Sequence, residues 1–183
     1  NHIWDQQEIL GFIEEDLRLL RPENYSKNSP GRGFCLYKIS DGTQIVVINV
    51  MCRLFMDSID DPFEALKNVI EKVSHESNNP IILVDVHGEA TSEKMCIGHF
   101  LDGKVTAVFG THTHIPTSDL HIMEQGTFYI SDLGMCGDYN SVLGMQKEVA
   151  ISRFVNKHKK IRLETANGNA TLCGILLDVD KKT

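Results

Sequence analysis

The chain has 183 residues, 42% of them hydrophobic, enough to bury one sizeable core and too many for a disordered chain. Its 18 Lys and Arg against 25 Asp and Glu leave a formal charge of -7, which argues against a broad basic face for duplex nucleic acid, where phosphates demand clustered cations. No apolar run approaches the roughly 20 residues of a membrane span, and the opening NHIWDQQEIL lacks the basic and apolar regions of a secretion signal.

In chain order, DQQEILGFIEEDLRLLRP (5–22) reads as an amphipathic helix. Asp5 and Glu8 make a capping box, Ile9, Leu10, Phe12, Ile13, Leu17 and Leu20 recur at helical spacing, and Pro22 stops it. GFCLYKISDGTQIVVINV (33–50) is a hairpin, two β-rich runs around SDGT. Asp61, Pro62 and Glu64 are N-cap, N1 and N3 of a helix through residue 76. NPIILVDVHG (79–88) has the continuous apolar pattern of a strand buried on both faces, ending at His87. A helix capped by Thr91 or Ser92 follows, and KVTAVFGTHTH (104–114) is a second buried strand running into histidines. Short strands LHIM and TFYIS, a Gly-rich loop over 132–145, a helix near KEVAISRF and a terminal strand pair, KIRLE and ATLCGILLDV, complete the chain. Strands alternating with helices define an α/β class. Five cysteines without a C-x-x-C pair read as reduced, buried thiols of a cytoplasmic protein.

Chemistry concentrates at three junctions. Two buried strands end in histidine, and ligands of α/β sheets bind outside the carboxyl ends of strands; Asn1 and His2 precede a helix start. His75 and His158 lie in polar surroundings, and His99 on a helix and His121 on a short strand have no second polar partner, so all four read as ordinary surface or hydrogen-bonded residues. His112 and His114 are coupled: at i and i+2 of an extended segment both side chains leave one face, roughly 7 Å apart at the backbone, placed to address one metal or two adjacent metals. Imidazoles with an amide oxygen and no thiolate suit a catalytic ion with open positions rather than a closed structural zinc. Two-metal hydrolytic sites also need carboxylates. Asp85, Glu89 and Glu93 lie near in sequence, but spacing alone promotes none of them.

NHIWD, VDVHGEATSEK, GTHTHIPTSD and SDLGMCGDYNSVLGM, in this order, resemble the bacterial YmdB-like metallophosphoesterases of the calcineurin-like superfamily, over essentially the whole chain. The resemblance implies a metallophosphoesterase domain over 1–183, an α/β sandwich of two mixed sheets flanked by helices and lacking its first βαβ segment. It implies that Asn1, His87 and His112 hold one metal, that His114 holds its neighbour, and that His2 is the proton donor. Two transition-metal ions follow, Fe or Mn before Zn, with a small phosphodiester such as a 2′,3′-cyclic nucleotide as substrate. Hydrolysis would proceed by attack of a hydroxide held at the dinuclear centre, with His2 protonating the leaving ribose oxygen. No membrane partner is implied, and a homo-oligomer stays open. The family's terminal Asp and bridging Glu have no counterpart here, so a chain starting at Asn1 is expected to bind metal weakly and turn over little. Met51 and Cys52 stand where the family has a polar residue and Gly. Two other readings are a non-catalytic metal- or nucleotide-binding regulatory module and an amidohydrolase, whose barrel needs more βα units than 183 residues supply.

Overall fold

A computed structural model of the protein describes Trp4 and residues 6–158 and 160–180. The hairpin forms as the turn chemistry dictates. β1 (Phe34–Lys38) and β2 (Gln44–Met51) pair antiparallel, Gly42 takes a left-handed φ of 88°, and the Asp41 carboxylate accepts from the Thr43 N–H at 2.9 Å. α2 (Pro62–Glu76) starts at Asp61, whose carboxylate accepts from the Phe63 N–H, with Pro62 at the first helical position where its missing N–H costs nothing. β3 (Ile81–His87), α3 (Thr91–Leu101) and β4 (Ala107–Thr111) follow, then the short β5 (His121–Ile122) and β6 (Phe128–Ile130), and α4 (Lys147–Val155).

The strands form one six-stranded mixed sheet in the order β1-β2-β3-β4-β6-β5. Its centre, β2-β3-β4-β6, is parallel, and antiparallel strands lie at both edges. One face carries Val46, Ile48 and Val50 of β2, Ile82, Val84 and Val86 of β3, and Val108 of β4, packed on Leu66, Val69 and Val73 of α2 and Ile97 and Leu101 of α3. A smaller cluster of Ala107, Phe128 and Ile130 covers the other face near β4 and β6.

Several expectations change. The first helix, α1 (Ile9–Glu15), is shorter than its apolar repeat because Asp16 turns extended and its carboxylate engages the N–H and guanidinium of Arg18. Only Ile13 of α1 is buried, and Leu10, Phe12 and Leu17 remain exposed. The expected capping role of Asp5 lies outside the described residues. Ala90, with no side-chain cap bond, takes the N-cap of α3 that Thr91 or Ser92 was expected to fill. β3 alternates between buried and half-buried side chains rather than being sealed on both faces, since α2 and α3 cover one side of it. KIRLE and ATLCGILLDV build no strand ladder: among the described residues the bridges there are isolated, Met145 to Thr165 just past KIRLE and Gly137 to Thr171, beside single contacts such as the Gln146 N–H on the Glu164 carbonyl and Leu177 against the smaller cluster. The described strands therefore lie in a single sheet where the sandwich expectation has two. Among the described residues no helix is long and apolar enough to cross a membrane.

Candidate functional site

Parallel register brings the carboxyl ends of three strands level: Met51 pairs with His87, and His87 with Thr111. Gly110 permits this approach of β4 to the segment after β6, since a Cβ there would stand 1.6 Å from the Ser131 carbonyl oxygen. Beyond Thr111 the backbone is not extended. His112 has φ 103° and His114 φ 66°, so the expectation of two imidazoles on one face of a strand does not hold. A non-glycine residue in such a region costs about 1–3 kcal/mol and persists only where its surroundings over-determine it. Here they do. Lys94 Nζ donates to the Thr111 carbonyl at 2.8 Å and to Asp132 Oδ2 at 3.0 Å, and that same Oδ2 accepts from the Thr113 N–H at 3.0 Å. The backbone on both sides of His112 is thus tied to one ion pair whose side chains are each 1% exposed. Burial alone would raise the Asp132 carboxyl, but the N–H groups of Gly134 and Thr113 and the Lys94 ammonium hold it below the usual carboxylate range.

His87 is oriented by a relay on the open face of β3. Asn49 Nδ2 donates to Asp85 Oδ2 at 2.8 Å, Thr111 Oγ1 donates to Asp85 Oδ1 at 2.8 Å, and His87 Nδ1 lies 3.0 Å from Thr111 Oγ1. The Thr111 proton is committed to Asp85, so the hydroxyl accepts from His87 Nδ1–H and the lone pair of His87 lies on Nε2. Burial raises the Asp85 carboxyl, opposed by the Thr111 hydroxyl and the Asn49 amide. Burial pushes the His87 imidazole down to about 4, so the ring is neutral and ligand-competent at neutral pH.

His87 Nε2 faces His112 Nδ1 at 3.2 Å with the rings nearly perpendicular. That separation is what two nitrogens bound to one ion at about 2.1 Å would subtend, at an angle near 100°. The pair therefore fits the first expected metal. His114 turns its Nδ1 to the Leu143 carbonyl at 3.0 Å, which leaves Nε2 as its free ring nitrogen. Asn1 and His2, expected as ligand and proton donor, lie outside the described residues. Among the described residues no group of three or more His, Cys, Asp or Glu side chains is gathered to hold an ion, so they supply a pair of converging nitrogens rather than a full ligand set.

The strand end is intact at Met51 and Cys52. The Cys52 N–H donates to the His87 carbonyl at 2.9 Å, and its side chain fills the space at Gly88 where a Cβ would fall within 2.5 Å of it. Burial raises the Cys52 thiol to about 12, which makes it inert. Glu93 caps the following turn by accepting from the N–H groups of Arg53 and Leu54, a structural duty. His87, His112 and His114 line a cleft of about 850 Å³ whose far wall is apolar, with Leu143, Met145 and Phe154, and cationic, with Arg153 and Lys157. Spacing-based reading missed Lys94 and Asp132 and left Asp85 without a role, whereas the threonines before and between the histidines were expected to orient the rings, as Thr111 does for His87. The available signals were Asp85 at i-2 from His87 on the same strand face, and Lys94 three and seven residues before Ile97 and Leu101, on the core face of α3.

A parallel-centred α/β sheet with histidines converging at its strand ends defines the class of α/β proteins that gather a ligand site beyond the carboxyl ends of their strands. The model of the YmdB-like protein family matches residues 1–183, and the chain belongs to that family. It is 41% identical over 183 residues to the 2′,3′-cyclic-nucleotide 2′-phosphodiesterase of Bacillus subtilis, covering all of this chain and 68% of that protein. A Mycoplasma genitalium relative with a phosphatase/phosphodiesterase name is 34% identical over 190 residues and 66% covered. Crystal structures of a Thermus thermophilus protein (41% identity, TM-score 0.85) and a Mycoplasma pneumoniae phosphatase (32%, 0.82) superpose on 93% of this chain and on 65% and 61% of their own lengths. The chain thus spans about two thirds of the length of its relatives.

Proposed function

We propose that the protein is a metal-dependent phosphodiesterase acting on 2′,3′-cyclic nucleotides or related small phosphodiesters. The observation that carries this reading is the convergence of His87 Nε2 and His112 Nδ1 at 3.2 Å, with the His87 proton committed to the opposite nitrogen. Transition-metal ions, Fe or Mn before Zn, would supply Lewis-acid charge at the phosphoryl oxygens and activate the water that attacks phosphorus. His87 and His112 would hold one ion with Asn1, and His114 would offer Nε2 to the second. As water oxygen bonds to phosphorus and the P–O bond to the ribose oxygen breaks, His2 would give that oxygen its proton. Arg153 and Lys157 line the cleft where an anionic substrate would enter, which suits a nucleotide against a background charge of -7. Cys35, Cys52, Cys96, Cys136 and Cys173 are free thiols, which suits a reducing cytoplasm, but against the expectation of buried thiols only Cys52 is buried, and Cys96 and Cys136 are exposed.

The test is hydrolysis of 2′,3′-cyclic AMP with Mn²⁺ by the protein extended at its N-terminus to the length of its relatives. Turnover should vanish with chelator and fall about 10²- to 10⁴-fold in His2→Ala, the usual range for a general acid, with metal content retained. Metal-independent turnover, or full activity in His2→Ala, would refute the mechanism. Metal or nucleotide binding without any turnover would favour the non-catalytic module.

A further inference from the structure

Glu89 follows His87 by two residues on the turn into α3, and its Oε2 lies 3.2 Å from His112 Nε2. This contact is on the ring nitrogen away from His87, which faces His112 Nδ1. An ionised carboxylate only accepts hydrogen bonds, so the nitrogen it meets must carry the proton. A neutral His112 bonded to Glu89 is therefore the Nε2–H tautomer, with its lone pair on Nδ1. His87 is arranged the other way round, with Nδ1–H on Thr111 and its lone pair on Nε2. The two lone pairs then point at each other across 3.2 Å, an arrangement that repels unless a cation joins them.

We infer that Glu89 is a positioning residue that sets the tautomer of His112 and so turns Nδ1 toward the metal held with His87. This rests on the metal-dependent reading above. The role differs from that of a ligand, because the carboxylate engages the nitrogen that points away from the ion. The Glu89 side chain is more than half exposed, so as an ion pair the contact contributes little; what it does is select the tautomer. Carboxylate–histidine–metal arrangements of this kind typically carry a 10- to 100-fold effect on metal affinity. Asp85 performs the matching duty for His87 at one remove, through Thr111.

Glu89→Ala and Glu89→Gln test it in the full chain. In the metal-free protein, nitrogen NMR of the His112 ring should report Nε2–H in the wild type and in E89Q, whose amide oxygen still accepts, and a shift toward Nδ1–H in E89A. Titration with Zn²⁺ should give a dissociation constant raised about 10- to 100-fold in E89A and only a few-fold in E89Q, at an unchanged unfolding midpoint. Unchanged ring shifts together with wild-type Zn²⁺ affinity in E89A would overturn the assignment. Should the wild type itself take up no Zn²⁺, the metal reading fails, and the ring shifts alone decide whether Glu89 sets the tautomer.

Discussion

The two faces of β3 do different work with the same backbone. Ile82, Val84 and Val86 point into the cluster beneath α2 and α3 and are at most 7% exposed, whereas Leu83, Asp85 and His87 alternate with them on the half-buried side. The apolar face gains stability through area removed from water, a term indifferent to exact geometry. The polar face contributes through a chain of directed hydrogen bonds, Asn49 to Asp85 to Thr111 to His87, in which one wrong proton disables the nitrogen that matters. One strand therefore holds a tolerant half and an intolerant half, divided by the two-residue period of its side chains.

The largest effect should come from violating the apolar face. Val84→Asp would bury an unpaired carboxylate at a fully enclosed position, and the protein should fail to show a cooperative unfolding transition by circular dichroism. A native-like transition would mean that this face is far less essential than its burial indicates. Next comes the ion pair that ties the histidine loop to α3. Lys94→Met leaves Asp132 charged and buried, which should cost about 3–5 kcal/mol in urea unfolding, and a Lys94→Met, Asp132→Leu double variant should recover part of it. Equal stability of the single and double variants would show that the pair is not coupled. The smallest effect on stability, and the most selective on function, belongs to Thr111→Val. It keeps the shape but removes both the donor to Asp85 and the acceptor for His87 Nδ1, so metal affinity should drop about 10- to 100-fold while stability changes by about 1–2 kcal/mol. Wild-type metal affinity in that variant would break the contrast between the faces.

Much of the scaffold was legible in the residues. The Asp61 cap, the SDGT hairpin, the end of β3, the presence of β4 and the α4 segment each rest on local chemistry: a carboxylate reaching two residues on, a glycine free to take positive φ, a side-chain period. The same patterns pointed to His87, His112 and His114 because strand ends in parallel sheets gather ligands. The terminal pair KIRLE and ATLCGILLDV misled for the opposite reason. Its β-rich composition was real, yet a strand exists only where a partner backbone completes its ladder, and these segments find isolated bridges.

Taken alone, the sequence determined that His87, His112 and His114 lie at one end of the sheet, since that follows from side-chain type and short periodicities. Tertiary structure decided how they are aimed. The left-handed backbone at His112 and His114 depends on an ion pair 38 residues apart, and the His87 tautomer depends on Thr111 across 24 residues. Such couplings are set by strand register and packing, and spacing along a chain carries no trace of which distant hydroxyl or ammonium will arrive beside a ring.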